Sequence, residues 1–206
     1  EADQAVRLNI WEAIGKSINN ENLNTLENLE LQTGDSLGFA MCIYQIVLQN
    51  IQNESLMNRI ISFTNSAQEE VRFYTAHSLA RNRSVTLDSH SSEIIQAIKL
   101  ESNVECKMSF ISALRSINNE ETKLFVEDII SRKSENYLVL INAIRAYSGR
   151  ENMRPSLLIR LLDHKNEDLA LTAAQNLTFE KLSKNREEEL FLASSELLPS
   201  VRAEIR

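Results

Sequence analysis

Three histidines, two cysteines and one tryptophan are the side chains with most scope for chemistry in this sequence. His77, His90 and His164 stand far apart, and no HExxH or comparable spacing joins them. Cys42 and Cys106 form no CxxC pair and have no histidine at ligand spacing. A transition-metal site therefore lacks its usual ligands. The phosphate-cradling patterns GxxxxGKS/T and GxGxxG do not occur. Glu187, Glu188 and Glu189 form a carboxylate run, but acidic residues opening a helix complement its dipole and stay solvated. These residues point to a chain with no catalytic, cofactor-binding or metal-binding residue of its own. Trp11, the single tryptophan, falls at a repeated core position and is expected to pack, with part of its face left open.

The elements that would hold these residues are helices. Gly occurs 4 times and Pro twice in 206 residues, too few for the turns of a sheet protein. Polar punctuation falls instead on Asn19-Asn20, Asn118-Asn119, Asn152 and Asn166. Aliphatic anchors recur at Ile14, Ile46, Leu79, Leu114, Ile144 and Leu177, in steps of 32, 33, 35, 30 and 33 residues. Three before each anchor stand Trp11, Ile43, Ala76, Ile111, Ile141 and Ala174; four before stand Ile10, Cys42, Thr75, Phe110, Leu140 and Ala173. Offsets of three and four put these side chains on one helical face. Ala13, Ser78, Ala113 and Ala143, one before their anchors, leave room for a close neighbour.

A second helix follows, marked by Leu56-Met57 and Ile60-Ile61, then Ile94-Ile95 and Ile98, Leu124-Phe125 and Ile129-Ile130, Leu157-Leu158 and Leu161-Leu162, and Leu190-Phe191 and Leu197-Leu198. Ser66 with Glu69, Ser102 with Glu105 and Asn118 with Glu121 fit capping boxes, and Pro155 suits a first helical turn. The run Ser17-Ile18-Asn19-Asn20-Glu21 returns as Ser116-Ile117-Asn118-Asn119-Glu120, 99 residues later. The expectation is one all-α domain over residues 1–206: an α-α superhelix of about six helix pairs, at 1–33, 34–65, 66–101, 102–133, 134–165 and 166–199. Val201-Arg202 would start a seventh repeat that continues past residue 206. The least regular stretch is the polar connection from Asn82 to His90.

Glu70-Val71-Arg72 through Ser78-Leu79, and Val6-Arg7 through Ala13-Ile14-Gly15-Lys16, resemble the first helix of HEAT repeats. The resemblance implies a HEAT-like solenoid with an acid–arginine ladder between repeats, for which Arg7, Arg72, Lys107 and Arg202 are the available cations. Gly38-Phe39, Tyr137 and Ala170 interrupt it. It also implies that the second helices line a concave face carrying Arg59, Ala97, Asp128, Arg160 and Ala193 between their core pairs. More narrowly, Glu12 to Lys16, Ser78 to Asn82 and Asn142 to Ala146 look like the HEAT region before a cyclophilin-type peptidyl-prolyl isomerase domain of some bacterial envelope proteins. That likeness implies that the family's catalytic residues lie outside this chain, and a periplasmic or envelope setting. Free cysteines fit a cytoplasmic one equally.

The net charge is −7, and the concave column is mixed in sign with no interleaved aromatic, which argues against a nucleic-acid groove. No apolar run approaches the ~20 residues of a membrane span. The expected function is a protein-interaction or scaffold module without catalytic activity, binding a protein, a peptide or an adjacent domain. Arg59, Asp128, Arg160 and Trp11 are the candidate contact residues. The alternatives are an accessory region of a multidomain isomerase and, further off, a HEAT-like DNA glycosylase or bilin lyase.

Overall fold

The computed structural model describes residues 2–51, 53–82, 85, 87–132, 135–148, 150, 154–177 and 197–205. The described residues form helices and connections, with no strand among them. They fall into two compact units, Glu1–Ile117 and Asn118–Arg206. The division passes inside the expected fourth repeat, between its two helices.

The first unit opens with α1 (Ala2–Ser17), α2 (Asn24–Glu27), α3 (Ser36–Leu48) and α4 (Glu54–Ile61). It continues with α5 (Glu69–Arg81), α6 (Ser91–Leu100) and α7 (Val104–Ala113), with short 3-10 turns at Asp88–His90 and Leu114–Ser116. The long helices form a row: α1 packs on α3, α3 on α5, and α5 on α7. The anchors explain the row. Ile46, Leu79 and Leu114 are buried, as are Ile43, Ala76 and Ile111 one turn before them. The second helices add Leu56, Met57 and Ile60 from α4, and Ile94, Ile95 and Ile98 from α6. Each fully buried aliphatic side chain contributes about 1.5–3 kcal/mol, so shared apolar faces hold the row together.

Helix α1 departs from the expected column. Ile10 is 53% exposed and Val6 55%, because that side of α1 meets no other described helix. The side turned to α3 carries Trp11 and Gly15 instead. A Cβ on Gly15 would stand 2.6 Å from the Cys42 carbonyl oxygen, so the missing side chain is what lets the two backbones approach.

The second unit holds α8 (Glu120–Ser131), α9 (Tyr137–Tyr147), α10 (Pro155–Ile159), α11 (Glu167–Leu177) and α12 (Pro199–Ile205). α9 packs on α11 and α11 on α12, while α8 lies against α9 and α10. Leu140, Ile144, Ala173, Ala174 and Leu177 are buried at the expected positions, and so is Val201 of α12. Pro155 occupies the first turn of α10, where its missing N–H costs nothing. In α8 the expected Leu124 is 54% exposed, and the buried face runs through Thr122, Val126, Ile129 and Ile130. α10 ends at Ile159, so Leu161 and Leu162 sit in the following turn. Leu190, Phe191, Ala193 and the glutamates 187–189 lie outside the described residues, as does Asn152.

Asparagine does most of the capping. Asn53, Asn103, Asn119 and Asn136 each accept a hydrogen bond from a backbone N–H in the first turn of the helix that follows. The caps expected at Ser102 and Asn118 therefore sit one residue later. Ser66, three residues before α5, accepts from the Gln68 N–H at 3.2 Å and does not cap the helix. The duplicated run keeps its first half: Ser17 and Ser116 both donate to the carbonyl three residues back at 2.9 Å, and Ile18 and Ile117 are both buried. The second halves diverge. Asn19 folds a turn by accepting from the Glu21 N–H, whereas Asn119, the counterpart of Asn20, caps α8.

Candidate functional site

Two of the four candidate contact residues meet in the first unit, on either side of Phe39. Trp11 lies edge-on to the Phe39 ring at 6.0 Å, and the Arg59 guanidinium sits 4.6 Å above it. Trp11 is half-buried because its indole fills the space over Gly38. Arg59 is fully engaged. It donates to the carbonyl oxygens of Leu26, of Glu27 at 2.9 Å and of Leu29 at 2.6 Å, closing the C-terminal end of α2. A cation satisfying the last carbonyls of a helix also complements its dipole. Arg59 thus ties α4 to the end of α2.

The other two lie in the second unit. Asp128 is exposed and pairs with Arg132 four residues on, an arrangement that contributes a few tenths of a kcal/mol. Arg160 is exposed on the wall of a cleft of about 800 Å³. Ile130, Leu140, Leu157 and Leu162 give the cleft an apolar lining, and Arg132, Asp163 and Lys165 line it together with Arg160.

Of the ladder cations, Arg7 finds an acid immediately before α3, and Arg72 finds one at the end of α6, three residues before α7. Arg7 donates to Asp35 at 2.5 Å, and Asp35 immediately precedes α3. Arg72 donates through Nε to Glu101 at 2.7 Å, and through Nη1 to the Ser66 carbonyl at 2.8 Å. The Arg7 hydrogen bond is the main influence that holds the Asp35 carboxyl below the usual carboxylate range. Arg202 turns to the Leu197 carbonyl at 3.0 Å, much as Arg72 turns to Ser66. Lys107 makes no ion pair with a described residue.

Glu127 is a buried acid that sequence reading passed over. Tyr147 donates its hydroxyl to Glu127 at 2.7 Å, and Arg154 donates to the other carboxylate oxygen. The Tyr147 hydroxyl in turn accepts from the Arg154 N–H at 2.5 Å, so the three groups lock the approach to α10. Burial pushes the Tyr147 phenol well above its ordinary range.

The second feature missed is an outward-facing aromatic group on α3 and α5. Tyr44 and Tyr74 lie with ring centres 5.6 Å apart, Phe73 and His77 at 4.3 Å, and Tyr44 and His77 at 6.1 Å. The Arg81 guanidinium stands 5.2 Å over Tyr44. Ser109 of α7 lies 3.3 Å from His77 Nε2. Burial is the main reason the His77 pKa is lowered, with Arg81 adding to it and Glu105 opposing, which favours the neutral imidazole. The sequence signal was there: Tyr44 and His77 each stand two residues before an anchor, where later repeats place Ser112, Asn142 and Gln175.

Among the described residues, no group of three or more His, Cys, Asp or Glu side chains converges to hold a metal, and no helix is long and apolar enough to cross a membrane. No family model matches the chain, and neither a curated protein nor a solved structure matches it.

Proposed function

We propose that each unit is a stretch of HEAT-like helical-repeat solenoid, and that the chain acts by binding another protein or an adjacent domain through the outer surfaces of its helices. One observation carries the reading. Side-chain hydrogen bonds recur between residues one repeat apart: Gln49 to Gly15, separated by 34 positions, His90 to Asn58 by 32, Asn103 to Glu69 by 34, and Ser200 to Glu167 by 33. Equivalent positions of successive pairs therefore touch, as stacking of like units demands. Stacked repeats expose long, regularly spaced surfaces, and such surfaces serve recognition. Of the candidate contact residues, Asp128 and Arg160 are exposed, whereas Arg59 is spent on helix carbonyls.

Peptide display against the folded, immobilised chain tests the binding reading. A sequence-defined set of ligands, enriched over those selected by an unrelated helical protein, is the expected result. Enrichment no better than that comparison, across a library of adequate diversity, removes the proposal.

A further inference from the structure

We propose that the open face of α1 is a twofold interface, on which α1 of a second copy of this chain packs antiparallel. This goes beyond the binding reading above and does not rest on it.

The repeats themselves mark the face. Val6 and Ile10 stand eight and four residues before the anchor Ile14. The same two positions are Gly38 and Cys42 in α3, Val71 and Thr75 in α5, and Cys106 and Phe110 in α7, and all six are buried. In α3 the cover is α1 itself, with Trp11 over Gly38 and Gly15 against the Cys42 backbone. These positions therefore receive a neighbouring helix throughout the row. In α1 they are open, and Val6 and Ile10 are each more than half exposed. Neighbouring apolar side chains left in water in this way mark a contact surface.

The face also fits its own copy. Asp3, Val6, Ile10, Ala13 and Ser17 are all exposed and follow in steps of three, four, three and four residues, the spacing of a seam between two helices. The pattern is the same read from either end: one polar residue, three apolar ones, one polar residue. An antiparallel copy centred on Ile10 sets Ile10 on Ile10, the larger Val6 on the smaller Ala13, and Asp3 beside Ser17. Contacts between unlike positions then occur twice, as a twofold axis requires. Asp3 makes no hydrogen bond or ion pair of its own, and the arrangement carries it to the end of the other α1, beside a Lys16 that is 60% exposed and paired with Glu12 on its own helix. α3 does not obstruct the approach. Trp11 and Gly15, which face it, lie about 100° and 140° round the helix from Ile10.

Size sets the strength. The 16 residues of α1 span about 24 Å. A contact one helix long falls at the small end of specific interfaces, where association is weak and reversible.

Sedimentation equilibrium of the full chain, from about 1 to 500 μM, is the test, and a monomer–dimer equilibrium within that range is expected. Val6→Ser with Ile10→Ser should weaken it at least about tenfold, with circular dichroism and melting temperature establishing that the variant is folded. Cross-linking reads the register. Under mild oxidation Ile10→Cys should link to its own copy, whereas Val6→Cys should link when mixed with Ala13→Cys and not alone. Cys42 and Cys106 are buried and do not compete. A chain that stays monomeric throughout overturns the proposal, as does a dimer unchanged in the folded serine variant. Growth beyond the dimer overturns the twofold, and Val6→Cys linking to itself overturns the antiparallel register. If the chain is monomeric while display yields helical ligands that Val6→Ser loses, the face belongs to a partner protein. The second copy then falls and the wider binding function stands.

Discussion

Arg72 and Glu101 stand 29 positions apart in the chain, yet the guanidinium Nε lies 2.7 Å from the carboxylate. The Glu101 side chain is 1% exposed. Burial by itself raises a carboxyl pKa, but the Arg72 hydrogen bonds and the Asn103 N–H at 2.9 Å outweigh it and hold the group below its ordinary range. The pair fixes the end of α6 while Asn103, two residues on, caps α7.

Removing the cation should therefore cost more than a surface pair would. Arg72→Met leaves a buried carboxylate unpaired, and a loss of about 3 kcal/mol is expected in urea unfolding. Arg72→Met with Glu101→Met should recover much of it. The pH dependence follows from the lowered Glu101 pKa. The contribution is fully present above the unfolded glutamate pKa, near 4.5, and is lost as pH falls through the lower folded value. The urea midpoint of the native chain should drop across that window more steeply than that of the double variant. Parallel slopes would show that the pair is not the group titrating.

Gly38 and Gly15 are required by space. A Cβ on Gly38 would stand 2.0 Å from Trp11 Cδ1, whereas one on Gly15 meets the Cys42 backbone. Alanine gains about 1 kcal/mol of helix propensity over glycine, but overpacking costs about 1–3 kcal/mol. Gly38→Ala should displace the indole and shift the emission of the only tryptophan to longer wavelength, with a net loss of about 1 kcal/mol. Gly15→Ala must part α1 from α3, since backbone cannot swing aside, and should cost more. An unshifted emission maximum in Gly38→Ala would contradict the stacking of Trp11 on this glycine.

The long helices were legible because their apolar positions recur at both three and four residues and again about every 33, as Ile46, Leu79, Leu114, Ile144 and Leu177 all show. What was not legible depends on neighbours. α2 is four residues long and buries only Leu26, too short to carry a period. Caps shifted by one because Asn103 follows Ser102 and Asn119 follows Asn118, and both members of such a pair can bond a first-turn N–H. Leu124 and Thr122 differ by half a helical turn, and only the approach of α9 decides which is inside. Arg59 reads as a free cation between aliphatic pairs. Its carbonyl partners lie 30–33 residues earlier and have no side-chain signature. The aromatic group likewise arises only when α3 and α5 bring Tyr44 beside Tyr74 and His77.

Thr75 occupies the fully buried column of α5, and its hydroxyl has no hydrogen-bond partner. A buried hydroxyl without a partner costs about 1–3 kcal/mol. Valine has nearly the same shape and no polar atom. Thr75→Val is therefore expected to stabilise the first unit by about 1 kcal/mol, read as a higher urea midpoint with unchanged slope. A lower midpoint would mean that a partner for the hydroxyl exists in solution.

The two thiols provide the last check on packing. Cys42 in α3 and Cys106 in α7 are both buried and unpaired, with α5 packed against both helices. Burial is the main cause that pushes Cys42 up to about 12 and Cys106 up to about 11. The thiolate is the reactive form, so a native chain at pH 8 holds almost none of it at either position. Ellman's reagent should leave both thiols unmodified in the native chain and titrate both in urea. In between, each rate should follow the opening of its own helix layer. Reaction of Cys42 at the rate of a free thiol without denaturant would mean that α1 does not cover α3, and the packing of Trp11 and Gly15 against that helix would fall with it.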